Sequence, residues 1–190
     1  MNMQLLLLLS GPVAVGKSSV ATSLVEHFGF SRVSTGGYLR NLADARMTGK
    51  SREDLQNLGD GLDEKTDFRW VVTATSEFIE DHPTDRLWLL DAVRKRRQVE
   101  HFRDTFKNAV FHVHFSAEED ILRSRYEERL RAGGEYVGNT TYEQAIAHPN
   151  EIAARDLINI AEEVIDLGLT SSAEAAQKID AWVNSRGLRG

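Results

Sequence analysis

Gly11-Pro-Val-Ala-Val-Gly16-Lys17-Ser18 follows directly on the apolar run Met3 to Ser10, and this junction decides the fold. The pattern G-x-x-x-x-G-K-[ST], entered from a strand and opening a helix, is that of a phosphate-binding loop. Its glycines let the backbone curl until successive N–H groups face one anion, and the helix that starts at Lys17 adds the positive end of its dipole. Gly11, Val13, Ala14, Val15, Gly16, Lys17, Ser18 and Ser19 are therefore the expected cradle for the phosphates of ATP. In such a cradle Lys17 neutralises the β- and γ-phosphates, and the Ser18 hydroxyl reaches Mg2+, an ion that takes few protein ligands and keeps several waters.

Outward from the loop, apolar runs of strand length alternate with longer segments of helical period, the arrangement of a parallel sheet covered on both faces. Met3 to Ser10, Leu87 to Asp91 and Ala109 to Phe115 read as strands, with shorter ones at Arg32 to Ser34 and Glu163 to Ile165. Lys17 to Phe28, Arg94 to Phe106, Glu118 to Leu130 and Ser172 to Val183 read as helices, the last capped by Ser171 or Ser172. Two stretches fall outside the alternation. Residues 36–85 are mostly helical and polar, and residues 132–149, rich in Gly, Asn and Thr, read as a loop long enough to be a lid. The fold class expected is α/β: a P-loop NTPase three-layer sandwich of about five parallel strands, built as one domain over residues 1–190. Leu87-Trp-Leu-Leu-Asp91 ends an apolar strand in a carboxylate, the group such folds use to hold the Mg2+ shell beside Ser18.

Composition removes other classes. The 190 residues carry 41% hydrophobic and 27% charged side chains with few Gly and Pro, which excludes collagen-like, disordered and low-complexity chains. A net charge of −6 repels a polyphosphate backbone and argues against nucleic acid as the partner. With no cysteine there is no disulfide framework, thiolate metal site or cysteine nucleophile. The run Leu5 to Leu9 lacks a basic leader and is far too short for a bilayer, so a cytoplasmic protein with no membrane partner is expected. The oligomeric state is open.

Four patches beyond the loop resemble nucleoside monophosphate kinases, adenylate kinase above all. Val33-Ser-Thr-Gly-Gly-Tyr-Leu-Arg40 resembles the S-T-G-D-x-L-R segment that opens the monophosphate-binding helices, with Gly37 where the family has Asp. Leu90-Asp91-Ala-Val-Arg94 followed by Gln98 resembles D-G-x-P-R-x-x-x-Q with one residue deleted. Arg125-Tyr-Glu-Glu-Arg129 resembles the R-x-x-x-R leading into the lid, and Ile160 to Asp166 resembles the last strand of these and of dephospho-coenzyme A kinases.

The resemblance implies Thr35, Arg40, Arg94 and Gln98 as acceptor-binding residues on a helical insertion over 36–85 and its flank. It implies Lys17, Asp91, Arg94, Arg125 and Arg129 as the catalytic set, with Arg129 and Arg155 belonging to the lid. The expected reaction is phosphoryl transfer from ATP, with Mg2+, to a nucleoside or deoxynucleoside monophosphate. Arginine suits that chemistry, because the transition state spreads charge over equatorial oxygens that a planar, permanently charged guanidinium can grip in pairs. Two alternatives stand beside it: a kinase of a nucleoside or another small hydroxylated metabolite, which needs a carboxylate base near Asp91, and a nucleotide-binding regulatory ATPase.

Other features carry ordinary readings. Arg94-Lys-Arg-Arg97 points in several directions around a helix in an acidic chain and is no nucleic-acid patch. His112 and His114 share a face of a strand without a third ligand, so packing is expected. Asp60-Gly-Leu-Asp63-Glu64 lacks calcium-loop spacing and reads as a turn between helices. Asn139-Thr-Thr141 fits a glycosylation pattern with nothing to direct the chain to secretion.

Overall fold

The computed structural model describes residues 2–45, 49, 52–133 and 140–188. Its centre is β1 (Leu5–Ser10), which pairs in parallel with β3 (Leu87–Asp91) on one side and β4 (Val110–Ser116) on the other. β2 (Ser31–Val33) and β5 (Glu163–Asp166) extend the sheet to five parallel strands in the order β2-β3-β1-β4-β5. The register sets Leu9 beside Asp91 and Ser10 beside His114, so the phosphate loop leaves the same edge of the sheet as the ends of β3 and β4.

The five leucines of β1 point alternately to two cores. Leu5, Leu7 and Leu9 pack with Val20, Ala21 and Leu24 of α1 (Lys17–Phe28), Leu122 and Tyr126 of α6 (Glu119–Arg131), and Ala175, Ile179 and Val183 of α9 (Ser172–Ser185). Leu6 and Leu8 pack with Trp70, Val71 and Ile79 of α4 (Trp70–Glu80) and with Val99 and Phe102 of α5 (Arg96–Phe106). None of these five leucines is more than 2% exposed. Helix, sheet, helix is thus the layer order, and each buried leucine contributes roughly 1.5–3 kcal/mol relative to an exposed one.

The remaining helices are α2 (Thr35–Ala45), α3 (Arg52–Thr66), α7 (Tyr142–Ile146) and α8 (Pro149–Asp156). Within the stretch 36–85, α4 covers the sheet, while α2 and α3 lie against one another; residues 46–48, 50 and 51 lie outside the described residues. Three expectations need correction. Asp60 to Glu64 is not a turn but the body of α3, where the Asp63 carboxylate accepts the Trp70 indole N–H at 2.7 Å. The chain reverses later, at Asp67 and Phe68, whose φ values of 48° and 62° are unusual for residues other than glycine. The lid stretch 132–149 is helical over Tyr142–Ile146, closed by a capping box in which Thr141 Oγ1 accepts the Gln144 N–H and the Gln144 side chain accepts the Thr141 N–H. Residues 134–139 of that stretch, Asn139 included, lie outside the described residues. Finally, α5 begins at Arg96, because Val93 still donates its N–H to Leu9 O at 3.0 Å and holds the chain against β1.

Leu7 stands at the centre of one core and is fully buried. Leu7→Ala is expected to lower unfolding free energy by about 2–5 kcal/mol, read as a lower denaturant midpoint at unchanged slope.

Candidate functional site

The loop after β1 is shaped by close approach. A side chain at Gly11 (φ 141°) would run into the Phe115 carbonyl, and Gly16 (φ 113°) opens α1 from a conformation that suits glycine. Ala14 holds φ 63° without that freedom, and Val15 donates to Pro12 O at 3.4 Å across the loop. Lys17 Nζ turns back into the loop and donates to the carbonyls of Gly11 at 2.7 Å and Pro12 at 2.8 Å.

Burial lowers the Lys17 ammonium to a pKa of about 8. Glu151 and then Asp91 act in the opposite direction, while Arg94 and Arg129 add to the lowering. The loop thus gathers two carboxylates and two guanidiniums, from α8, the end of β3, the loop after it and α6, around one amine. Beneath it, Ser10 Oγ lies 2.6 Å from His112 Nε2 and 2.9 Å from His114 Nδ1, all three residues buried. Burial lowers both imidazoles to about 4, His112 also feeling Arg103 and His114 also feeling His112 and Lys17, so they are neutral at neutral pH and pack as expected.

Beside the loop opens a cavity of about 610 Å3 lined by Val15, Gly16, Ser19, Arg125, Glu128, Arg129, Ala132 and the Leu167–Ser172 turn. Arg125 donates to Val15 O at 2.8 Å and to Leu167 O at 2.9 Å. Its fork is therefore spent on backbone, bracing the phosphate loop against the turn before α9. Arg129, one turn further on, lines the same cavity half-buried.

On the other side, Asp91 is 6% exposed and accepts from Arg32 Nη2 at 2.6 Å. Thr35 begins α2, and the Arg40 guanidinium folds back over Gly36 near that helix's first turn. Arg94 is exposed in the loop before α5. Gln98 Oε1 accepts the N–H groups of Arg94 at 3.0 Å and Lys95 at 3.3 Å, so its carbonyl is occupied in capping α5. Arg155 donates to Glu119 at 2.9 Å, Glu151 at 3.2 Å and the Tyr142 hydroxyl at 3.1 Å, which ties α8 to α6 and α7.

The donors offered to a magnesium ion are the exposed Ser18 hydroxyl and the Asp91 carboxylate, both hard oxygens, so the residues fit that ion. Among the described residues no group of three or more His, Cys, Asp or Glu forms a metal cluster, and no helix is long and apolar enough to cross a membrane.

Two participants escaped the sequence reading. Arg32 shows only as a charge inside a three-residue strand, and its link to Asp91 depends on the pairing of β2 with β3. Glu151 accepts the Val13 N–H at 2.7 Å across 138 positions, and no local pattern announces that.

A family model described as an AAA domain matches residues 10–141, and the chain belongs to that family. No curated protein matches its sequence. Among solved structures, the APS kinase of Mycobacterium tuberculosis in complex with AMPPNP and APS is 18% identical with a TM-score of 0.56, covering 97% of this chain and 99% of its own. A sugar kinase from Janibacter sp. HTCC2649 is 14% identical with a TM-score of 0.55, covering 95% of both chains. The shikimate kinase of Acinetobacter baumannii in complex with shikimate is 16% identical with a TM-score of 0.52, covering 97% and 96%. At such identities the likeness is one of fold, that of P-loop kinases.

Because Lys17 titrates near 8 and holds its charge below that value, affinity for a nucleotide's phosphates is expected to fall as pH rises through about 8. Lys17→Arg, which stays charged, should remove that alkaline loss in a calorimetric titration repeated across pH.

Proposed function

We propose that this member of the AAA-domain family transfers the γ-phosphoryl group of ATP to a nucleoside or deoxynucleoside monophosphate. The observation that carries the reading is that Arg94 and Arg129, from two different segments, both act on Lys17 of the phosphate loop, and neither forms an ion pair with a carboxylate among the described residues. Two guanidiniums converging on the lysine of a phosphate loop suit anions on both sides of the transfer.

In this reading Gly11 to Ser19 bind the donor's phosphates and the cavity beside Arg125 and Arg129 takes its nucleoside. Thr35 and Arg40, on the α2–α3 unit within 36–85, hold the acceptor together with Arg94 and the amide nitrogen of Gln98. Magnesium, held by Ser18 and Asp91, supplies charge neutralisation on the phosphates when bound. The residues' own share is positioning and electrostatic stabilisation: Lys17, Arg94 and Arg129 meet the charge that spreads over the equatorial oxygens, and Arg125 keeps the loop in register. Arg129 at the end of α6 and Arg155 on α8 flank the stretch 132–149 and would stand at the edge of the lid that this reading requires to exclude water. A monophosphate acceptor is already anionic, so no general base is required.

The second reading is a kinase of a small hydroxylated metabolite, and Asp91 favours it: a nearly buried carboxylate in the field of Lys17 is where a hydroxyl proton would go. The sugar kinase and the shikimate kinase among the structural neighbours support the same alternative.

Product formation from ATP and Mg2+ over ribo- and deoxynucleoside monophosphates, nucleosides, sugars and acceptor-free blanks separates the readings. One monophosphate should yield its diphosphate, and Lys17→Ala should be inactive. Arg94→Ala should raise the acceptor KM about 10–100-fold, the cost of one charge-assisted hydrogen bond, with little change in the KM for ATP. Turnover of a neutral hydroxyl compound alone moves the assignment to the second reading. Hydrolysis without any acceptor reaction moves it to a regulatory ATPase.

A further inference from the structure

Glu151 sits on α8, yet its Oε1 accepts the N–H of Val13, a residue of the phosphate loop, at 2.7 Å. The same oxygen takes a bond from Arg155 Nε at 3.2 Å, and the side chain is only 13% exposed. A carboxylate of the chain itself thus bonds the backbone of a loop whose N–H groups otherwise receive phosphate.

Arg155 serves Glu119 at 2.9 Å as well as Glu151, so one guanidinium is shared between two carboxylates, and Glu151 also acts on the Lys17 ammonium. Asp91, the other carboxylate acting on Lys17, has Arg32 to itself at 2.6 Å. Of the two carboxylates that act on Lys17, Glu151 acts the more strongly and is the one bonded to the loop's own backbone, next to the site that must take a polyanion.

We propose that Glu151 is a specificity-determining residue of the donor site, whose carboxylate on the Val13 N–H makes the loop select a magnesium-complexed nucleotide over the free polyphosphate. The inference rests on the donor half of the proposed function and is independent of the acceptor. Free ATP carries about four negative charges and its magnesium complex about two, and repulsion from a fixed carboxylate scales with that charge. The carboxylate thus penalises the bare nucleotide far more than the metal complex. Magnesium relieves the repulsion from the ligand's side, because it lowers the charge that Glu151 opposes.

The test is equilibrium binding of ATP by calorimetry, once with excess chelator and once with excess Mg2+, on the parent chain, Glu151→Gln and Glu151→Asp. Glutamine keeps an oxygen for the Val13 N–H and removes only the charge. It is expected to tighten metal-free ATP about tenfold and the magnesium complex about threefold, the square-root relation that halving the ligand charge imposes. Glu151→Asp, which keeps the charge, should retain most of the parent's preference. Equal changes in both titrations, weaker binding in both, or no change overturns the assignment. Melting without nucleotide establishes that each variant is folded, and if Glu151→Gln is not, Glu151→Ala is judged by the same ordering of the two gains. A parent chain that binds neither form of ATP overturns this inference and the donor site together, whereas parent binding with an unmoved ratio overturns the role of Glu151 alone.

Discussion

The five leucines of β1 allow no solvent-facing side, and the arrangement of the site depends on that constraint. Burying Leu5, Leu7 and Leu9 on one face and Leu6 and Leu8 on the other places β1 at the centre of the sheet with helices above and below. A central parallel strand must deliver its C-terminal residue at the edge where β3 and β4 also end. Ser10 arrives there against His112 and His114, and Gly11 passes so close to the Phe115 carbonyl that no side chain fits. The loop that follows inherits its position from the core.

Charge completes what packing begins. Lys17 is buried at a cost in protonation, and its neighbours come from four different segments: Asp91 from β3, Arg94 from the loop after it, Arg129 from α6 and Glu151 from α8. Arg125 braces the loop without facing the cavity as a free cation, since both of its terminal nitrogens bond main-chain carbonyls. Along α6, Arg125 and Arg129 are one turn apart and line the same cavity, but only Arg125 spends its fork on the phosphate loop's backbone.

Much of this was legible from residues alone, wherever the signal is local. Lys17–Phe28 and Leu87–Asp91 appear at the expected bounds because a Gly-rich entry and a carboxylate exit mark them in the chain itself. The turn at Asp67 and Phe68 was not legible, since neither residue type advertises a positive φ, and the nearby glycines drew attention to the interior of α3. The helix at Tyr142–Ile146 carried a readable capping box, Thr141 with Gln144, hidden within a segment whose Gly, Asn and Thr content suggested a loop. Within the site, the phosphate loop was legible as a contiguous motif. The partners Arg32 for Asp91 and Glu151 for Val13 were not, because strand order and the docking of α8 create them.

Everything proposed for the site requires that the loop from Gly11 to Ser18 receive the phosphates of ATP on its backbone N–H groups. Amide hydrogen exchange with and without magnesium and ATP measures this most directly. Slowed exchange is predicted over residues 13–19, with none in Lys17→Ala at the same nucleotide concentration. Unchanged exchange in that loop, or protection confined to another part of the sheet's edge, would contradict it.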